Sequence, residues 1–151
     1  MTRREIAINN FHAGYNCAQA VAIAFADEIG MDEDTVAKLT SGYGGGVGRL
    51  REVCGAVTGM VFVLNAIAGF TKPETDDDKK EHYARIQTLA KEFETKNGSI
   101  VCRNLLGLDI KHDDATPAPR TDSYYKKRPC DMLVGDAAEI LENYLAGKEN
   151  D

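Results

Sequence analysis

Apolar residues recur along this chain at spacings of three and four, the period of helices, and no run reads convincingly as a strand. A first helix is predicted over 3–12, with Ile6, Ile8 and Phe11 as its apolar points and Gly14 as its interruption. Asn16 is suited to cap a second helix over 17–29, where Ala18, Val21, Ala22, Phe25 and Ile29 fall on one stripe and Gly30 stops the run. Asp32 caps a short helix carrying Val36 and Leu39, with Glu33 and Asp34 suited to its first turn. The most hydrophobic stretch follows a glycine-rich loop, Gly42-Tyr43-Gly44-Gly45-Gly46-Val47-Gly48, and is predicted helical over about 52–68, ending at Gly69. Being apolar almost all round, it reads as a helix enclosed by others.

A polar connector over 71–78, containing Pro73, leads into a helix over about 76–96 with an acidic opening and an inward stripe of Tyr83, Ile86, Leu89, Ala90 and Phe93. Asn97-Gly98 ends it with a left-handed cap, and Ser99 caps a short helix with Cys102 at its third position. Residues 108–128 form one long irregular segment with Pro117 and Pro119, of the kind that tends to carry a docking or lid role. Pro129 fits the first position of a last helix and Cys130 the second, with Met132, Leu133, Ala137, Ile140, Leu141, Tyr144 and Leu145 on one face. Gly147 ends it, and the tail is expected to fray. The whole predicts an all-α, single-domain bundle of about five to seven helices over 1–151, without significant sheet.

Composition narrows the class. A chain of 151 residues with 43% hydrophobic content supports one packed core. Met1-Thr2-Arg3-Arg4 runs into Glu5 rather than an apolar segment, and residues 53–70 carry Thr58, Asn65 and three glycines, so neither export nor membrane insertion is expected. A cytoplasmic protein follows. The net charge of −6 argues against a nucleic-acid partner. In a reducing cytoplasm four thiols point to redox work or metal binding rather than to a static disulfide framework.

Those thiols are Cys17, Cys54, Cys102 and Cys130, each beside turn chemistry and each expected at a helix start. Unpaired N–H groups and the dipole there favour thiolate over thiol. Arg49 and Arg51 precede Cys54, Arg103 follows Cys102, and Lys126-Lys127-Arg128 precede Cys130, which acts in the same sense. Low-pKa thiolates serve disulfide exchange, iron–sulfur ligation or zinc ligation. The absence of Cys-x-x-Cys weakens the thioredoxin-like and zinc-ribbon readings. Gly55 and Gly59, on one face of the central helix, allow close approach of a neighbouring backbone or of a bulky inorganic group. The glycine loop lacks the Gly-Lys-Ser/Thr ending of a phosphate cradle and reads as a tight turn. His12, His82 and His112 are scattered and read as surface residues; Asp76-Asp77-Asp78 and Asp113-Asp114 read as helix-start and loop charge. Tyr124-Tyr125 reads as a half-buried loop anchor.

The segments Gly14-Tyr15-Asn16-Cys17-Ala18-Gln19, Gly44-Gly45-Gly46-Val47-Gly48-Arg49, Cys54-Gly55-Ala56-Val57-Thr58-Gly59 and Cys102-Arg103-Asn104-Leu105-Leu106-Gly107, followed by Cys130, resemble the C_GCAxxG_C_C family of small bacterial and archaeal redox-active proteins. The resemblance runs from about residue 3 to 144 and places the family's cysteines on Cys17, Cys54, Cys102 and Cys130 and its glycines on Gly55 and Gly59. A related module in split-Soret cytochromes is associated with an iron–sulfur centre, so the resemblance favours cluster binding. This chain has no Cys-x-x-Cys-His, and no covalent haem is carried over.

The first expectation is therefore a redox or electron-transfer protein whose four cysteines ligate a [2Fe–2S] cluster, with Gly55 and Gly59 leaving room and Arg49, Arg51, Arg103 and Arg128 offsetting its charge. The rival within redox chemistry is two thiol pairs, Cys54 attacking and Cys102 or Cys130 resolving, with three connectivities open. Structural zinc and a plain helical interaction module form the other classes. The partner is expected to be another redox protein. An exposed helix face leaves room for self-association, and no catalytic transformation is implied.

Overall fold

The computed structural model describes residues 1–72 and 74–147; Pro73 and the tail expected to fray lie outside the described residues. The chain is all-α. In chain order the helices are α1 (Arg3–His12), α2 (Cys17–Ile23), α3 (Ala26–Ile29), α4 (Glu33–Thr40), α5 (Gly55–Ala68), α6 (Asp76–Asn97), α7 (Cys102–Leu105), α8 (Asp122–Lys127) and α9 (Cys130–Leu145), with a 3₁₀ turn at Ser41–Tyr43. The nine helices among the described residues exceed the five to seven expected, because short ones form where periodicity carries no signal. One long helix is also divided: Phe25 leaves helical geometry, and its N–H closes a tight turn on the Ala22 carbonyl. Among the described residues the only extended pairing is a single antiparallel bridge, Val53 to Val101.

Local chemistry sets the ends. Thr2 and Glu5 close a capping box on α1, and Asn16 and Gln19 close another on α2. Gly30 and Gly98 take the left-handed conformation that ends α3 and α6. Two predicted starts move. Cys54 caps α5, which begins at Gly55 rather than near 52, and Pro129 stands just outside α9.

One core joins the elements, drawing Phe11 from α1, Val21 from α2, Val36 from α4, Met60 and Leu64 from α5, Leu89 and Phe93 from α6, and Ile140 and Leu141 from α9. Helix α2 is the hub, packing on α1, α4, α5 and α9. Its approach to α5 requires Gly59, where an added Cβ would stand 2.9 Å from the Ala18 carbonyl oxygen. Three expected apolar positions turn outward, Tyr83, Leu39 and Met132, each about half exposed. On α6 the place expected for Tyr83 goes to His82, which is buried and lies 2.7 Å from the Asn65 side-chain oxygen, contrary to its reading as a surface residue. Tyr124 and Tyr125, on α8, pack on Phe11 in stacked and edge-on geometry.

Candidate functional site

Each cysteine stands at a helix start: Cys17, Cys102 and Cys130 open α2, α7 and α9, and Cys54 caps α5. The Val53–Val101 bridge brings two of them together. The Cys54 amide donates to the Ile100 carbonyl at 2.8 Å and the Cys102 amide to the Glu52 carbonyl at 2.6 Å. Packing of α2 against α5 and α9 adds the other two. All four line one cavity of about 430 Å³.

The glycine loop forms a wall of that cavity through Gly44, Gly45, Gly46 and Gly48. It winds left-handed, and three non-glycine residues share the conformation: Val47, Arg49 and Arg51, with φ of 69°, 65° and 59°. Such geometry is uncommon for a side-chain-bearing residue and persists where surrounding contacts hold it. The glycines allow close approach. A Cβ on Gly46 would stand 2.7 Å from Cys102 Cβ, and one on Gly55 would stand 3.0 Å from Cys17 Cβ.

Four guanidiniums, from Arg49, Arg51, Arg120 and Arg128, also face the cavity. Arg51 is 3% exposed and donates from Nη1 to Cys102 Sγ at 3.6 Å. Asp113 is the one carboxylate paired with these four among the described residues, through Arg49 Nη2 at 2.7 Å and Arg51 Nη2 at 3.0 Å. Arg120 straps the 108–121 segment onto the ends of α1 and α2, donating to the Phe11 and Tyr15 carbonyls while its guanidinium lies over the Phe11 ring.

The predicted site residues separate on this geometry. Cys17, Cys54, Cys102, Cys130, Gly55 and Arg49 line the cavity. Gly59 does not; its missing side chain serves the contact with Ala18 and Val21. Arg103 does not either, and instead donates to the Arg51 carbonyl and pairs with Glu52 at 3.1 Å. Asp113, read from sequence as loop charge, belongs to the cavity's electrostatics, and Arg51 contacts the sulfur that its neighbour in sequence, Arg103, was expected to serve.

The expected general acidity of the thiols is corrected. Burial pushes Cys54 up to about 12, against the Ala56 and Val57 amides. Burial also raises Cys102, against Arg51. Only Cys130 moves down, through its hydrogen bond with Cys17 and then the nearby Arg128, Arg120 and Arg51 charges, while Cys17, keeping the shared proton, is driven up. Desolvation outweighs the helix ends at Cys54 and Cys102, and at Cys17 the hydrogen bond to Cys130 does so first and desolvation second.

What fold and cavity define is an all-helical protein with four free thiols and a surplus of guanidinium charge around one chamber. The family model C_GCAxxG_C_C, described as "Putative redox-active protein", matches residues 15–144, and the chain belongs to this family. Neither a curated protein nor a solved structure matches it. Among the described residues no helix is long and apolar enough to cross a membrane.

Proposed function

We propose that this protein carries electrons on an iron–sulfur cluster held by Cys17, Cys54, Cys102 and Cys130, and that a partner redox protein exchanges them in the cytoplasm. The observation that carries the reading is the convergence of four free thiols from four separate helix starts on one cavity whose guanidiniums outnumber carboxylates. A cluster with four thiolates is net negative, and Arg49, Arg51, Arg120 and Arg128 are the groups that stabilise it. The donor set fits: thiols are the ligands such clusters take. Zinc takes the same thiolates, and the surplus of guanidiniums favours the more negative, electron-carrying group. When bound, the cluster supplies one-electron chemistry. The chain supplies the sulfurs, the cations and an enclosing wall that limits water.

A second reading rests on Cys17 and Cys130, which open the packed helices α2 and α9 and line the same cavity. Oxidation there joins the sulfurs as a disulfide, releases two protons and passes two electrons to a reducible disulfide on the partner. Anaerobic purification followed by a visible spectrum, iron and sulfide analysis and a thiol count separates the readings. A coloured protein with stoichiometric iron and sulfide supports the cluster. A colourless one whose thiols fall by two on mild oxidation supports the pair. Four thiols unreactive to oxidant, in a protein without iron, refute both.

A further inference from the structure

The segment over 108–121 lines the cavity through Ala115, Pro117, Ala118 and Arg120, and its carboxylate at Asp113 reaches the glycine loop. Asp113 Oδ2 accepts from Arg49 Nη2 at 2.7 Å, from Arg51 Nη2 at 3.0 Å and from Arg51 Nε at 3.3 Å. The Asp113 amide donates to the Arg49 carbonyl at 3.1 Å, so the carboxylate is tied to the loop it grips. Its other oxygen, Oδ1, accepts from the Asp114 amide at 2.9 Å, which fixes the rotamer. With one edge of the Arg51 guanidinium held by Asp113, the remaining nitrogen, Nη1, lies 3.6 Å from Cys102 Sγ. Arg51 needs such fixing: its backbone is left-handed and its side chain is almost wholly buried. A planar fork can meet a carboxylate on one edge and a sulfur on another, whereas a point charge cannot.

We infer that Asp113 is a positioning residue for the sulfur centre: it clamps Arg51 so that the guanidinium donates to Cys102 Sγ, and through that contact it raises the centre's reduction potential. The inference rests on the cluster reading, in which Cys102 is a ligand. A donor on a ligand sulfur stabilises the more negative, reduced cluster. Asp113 acting merely as a nearby negative charge has the opposite sign, because a carboxylate disfavours the reduced form.

The test is a redox titration of the full-length protein and its variants, followed by visible absorption. Circular dichroism confirms that each variant is folded. Asp113→Asn is expected to lower the midpoint potential in the parent background. In an Arg51→Gln background, where there is no guanidinium to place, the same change is expected to leave the potential unchanged or raise it. A shift of the same sign and size in both backgrounds overturns the inference. Should Asp113→Asn lose helical signal, Arg51→Lys decides: it keeps the charge but not the two-edged contact, so the potential falls, and an unchanged potential overturns the clamp. A parent protein with no visible redox couple refutes the cluster reading itself, and the inference with it. A parent with a couple and variants that fail these tests refutes the inference alone.

Discussion

Alanine at position 46 puts a methyl group where the loop and α7 already touch. The new Cβ would stand 2.6 Å from the Glu52 amide nitrogen and 2.7 Å from Cys102 Cβ, on a backbone with φ of 70°. Holding an L-residue left-handed costs roughly 1–2 kcal/mol. Relieving overlap of that severity against backbone and a side-chain stem costs about 1–3 kcal/mol more. Gly46→Ala is therefore expected to destabilise the fold by roughly 2–5 kcal/mol, a fall of about 4–20 °C in Tm for a domain of this size. Gly48→Ala is the control. Its φ of 55° imposes the same backbone cost, but nothing lies within 4 Å of the added atom, so roughly 1–2 kcal/mol is expected. Thermal unfolding under anaerobic, reducing conditions gives both numbers, and visible absorption or thiol oxidation of the same samples reports the centre. The Gly46 variant is expected to lose the redox signal and the Gly48 variant to keep more of it. Equal losses of stability in the two would refute the claim that the loop is glycine-rich at 46 in order to admit Cys102.

Cys54→Ser, at the buried cap of α5, is expected to abolish the visible band or the reversible thiol oxidation while circular dichroism stays helical. Gly59→Ala gains about 1 kcal/mol of helix propensity but must push α2 from α5, so a net loss of about 1 kcal/mol in urea unfolding is expected with the centre intact; a stabilised variant would show that the helices can part at no cost. Phe93→Ala empties the core between α6 and its neighbours and is expected to cost about 3–5 kcal/mol by the same measurement. Asp113, Glu52 and Asp27 are held below the usual carboxylate range, by Arg51, by His112 with Arg103, and by Arg3 respectively. The unfolded chain binds protons at those positions first, so the stability they contribute is full above the ordinary carboxylate pKa and is lost as pH falls through the depressed values. Melts across that range are expected to show Tm falling with acid, with a shallower slope for Asp113→Asn.

Much of the bundle is readable from local signals. The Asn16–Gln19 box, the glycines at 30 and 98, and the long stripes of α6 and α9 each depend on residues within a turn or two of one another. What escaped is of other kinds. The break at Phe25 leaves the apolar periodicity intact, so the stripe reads straight through it. Helix α8 is too short to show a period and rests on the Thr121 cap and its aromatic contacts. The meeting of the thiols was legible as four cysteines beside turn chemistry, but their acidity was not. Neighbouring charge is visible in a sequence, whereas burial, which raises Cys54 and Cys102, is a tertiary property. Arg103 adjoins Cys102 in sequence, yet the turn of α7 sends its side chain to Glu52. Arg51 and Asp113 are 62 residues apart, and nothing local marks them as partners.

The short pairing of Val53 with Val101 has a consequence for the order in which the molecule is made. Arg51 and Cys102 are 51 residues apart, and joining a flexible chain of that length costs about 3.5 kcal/mol beyond a constant term. The α5–α6 hairpin removes most of that cost by folding the intervening segment back on itself. The bridge is therefore expected to zip up only after that hairpin has formed. Cys130, later still in the chain, arrives after it. A chain emerging from the ribosome presents three sulfurs before it can present four, which makes the chamber one of the last parts of the protein to mature.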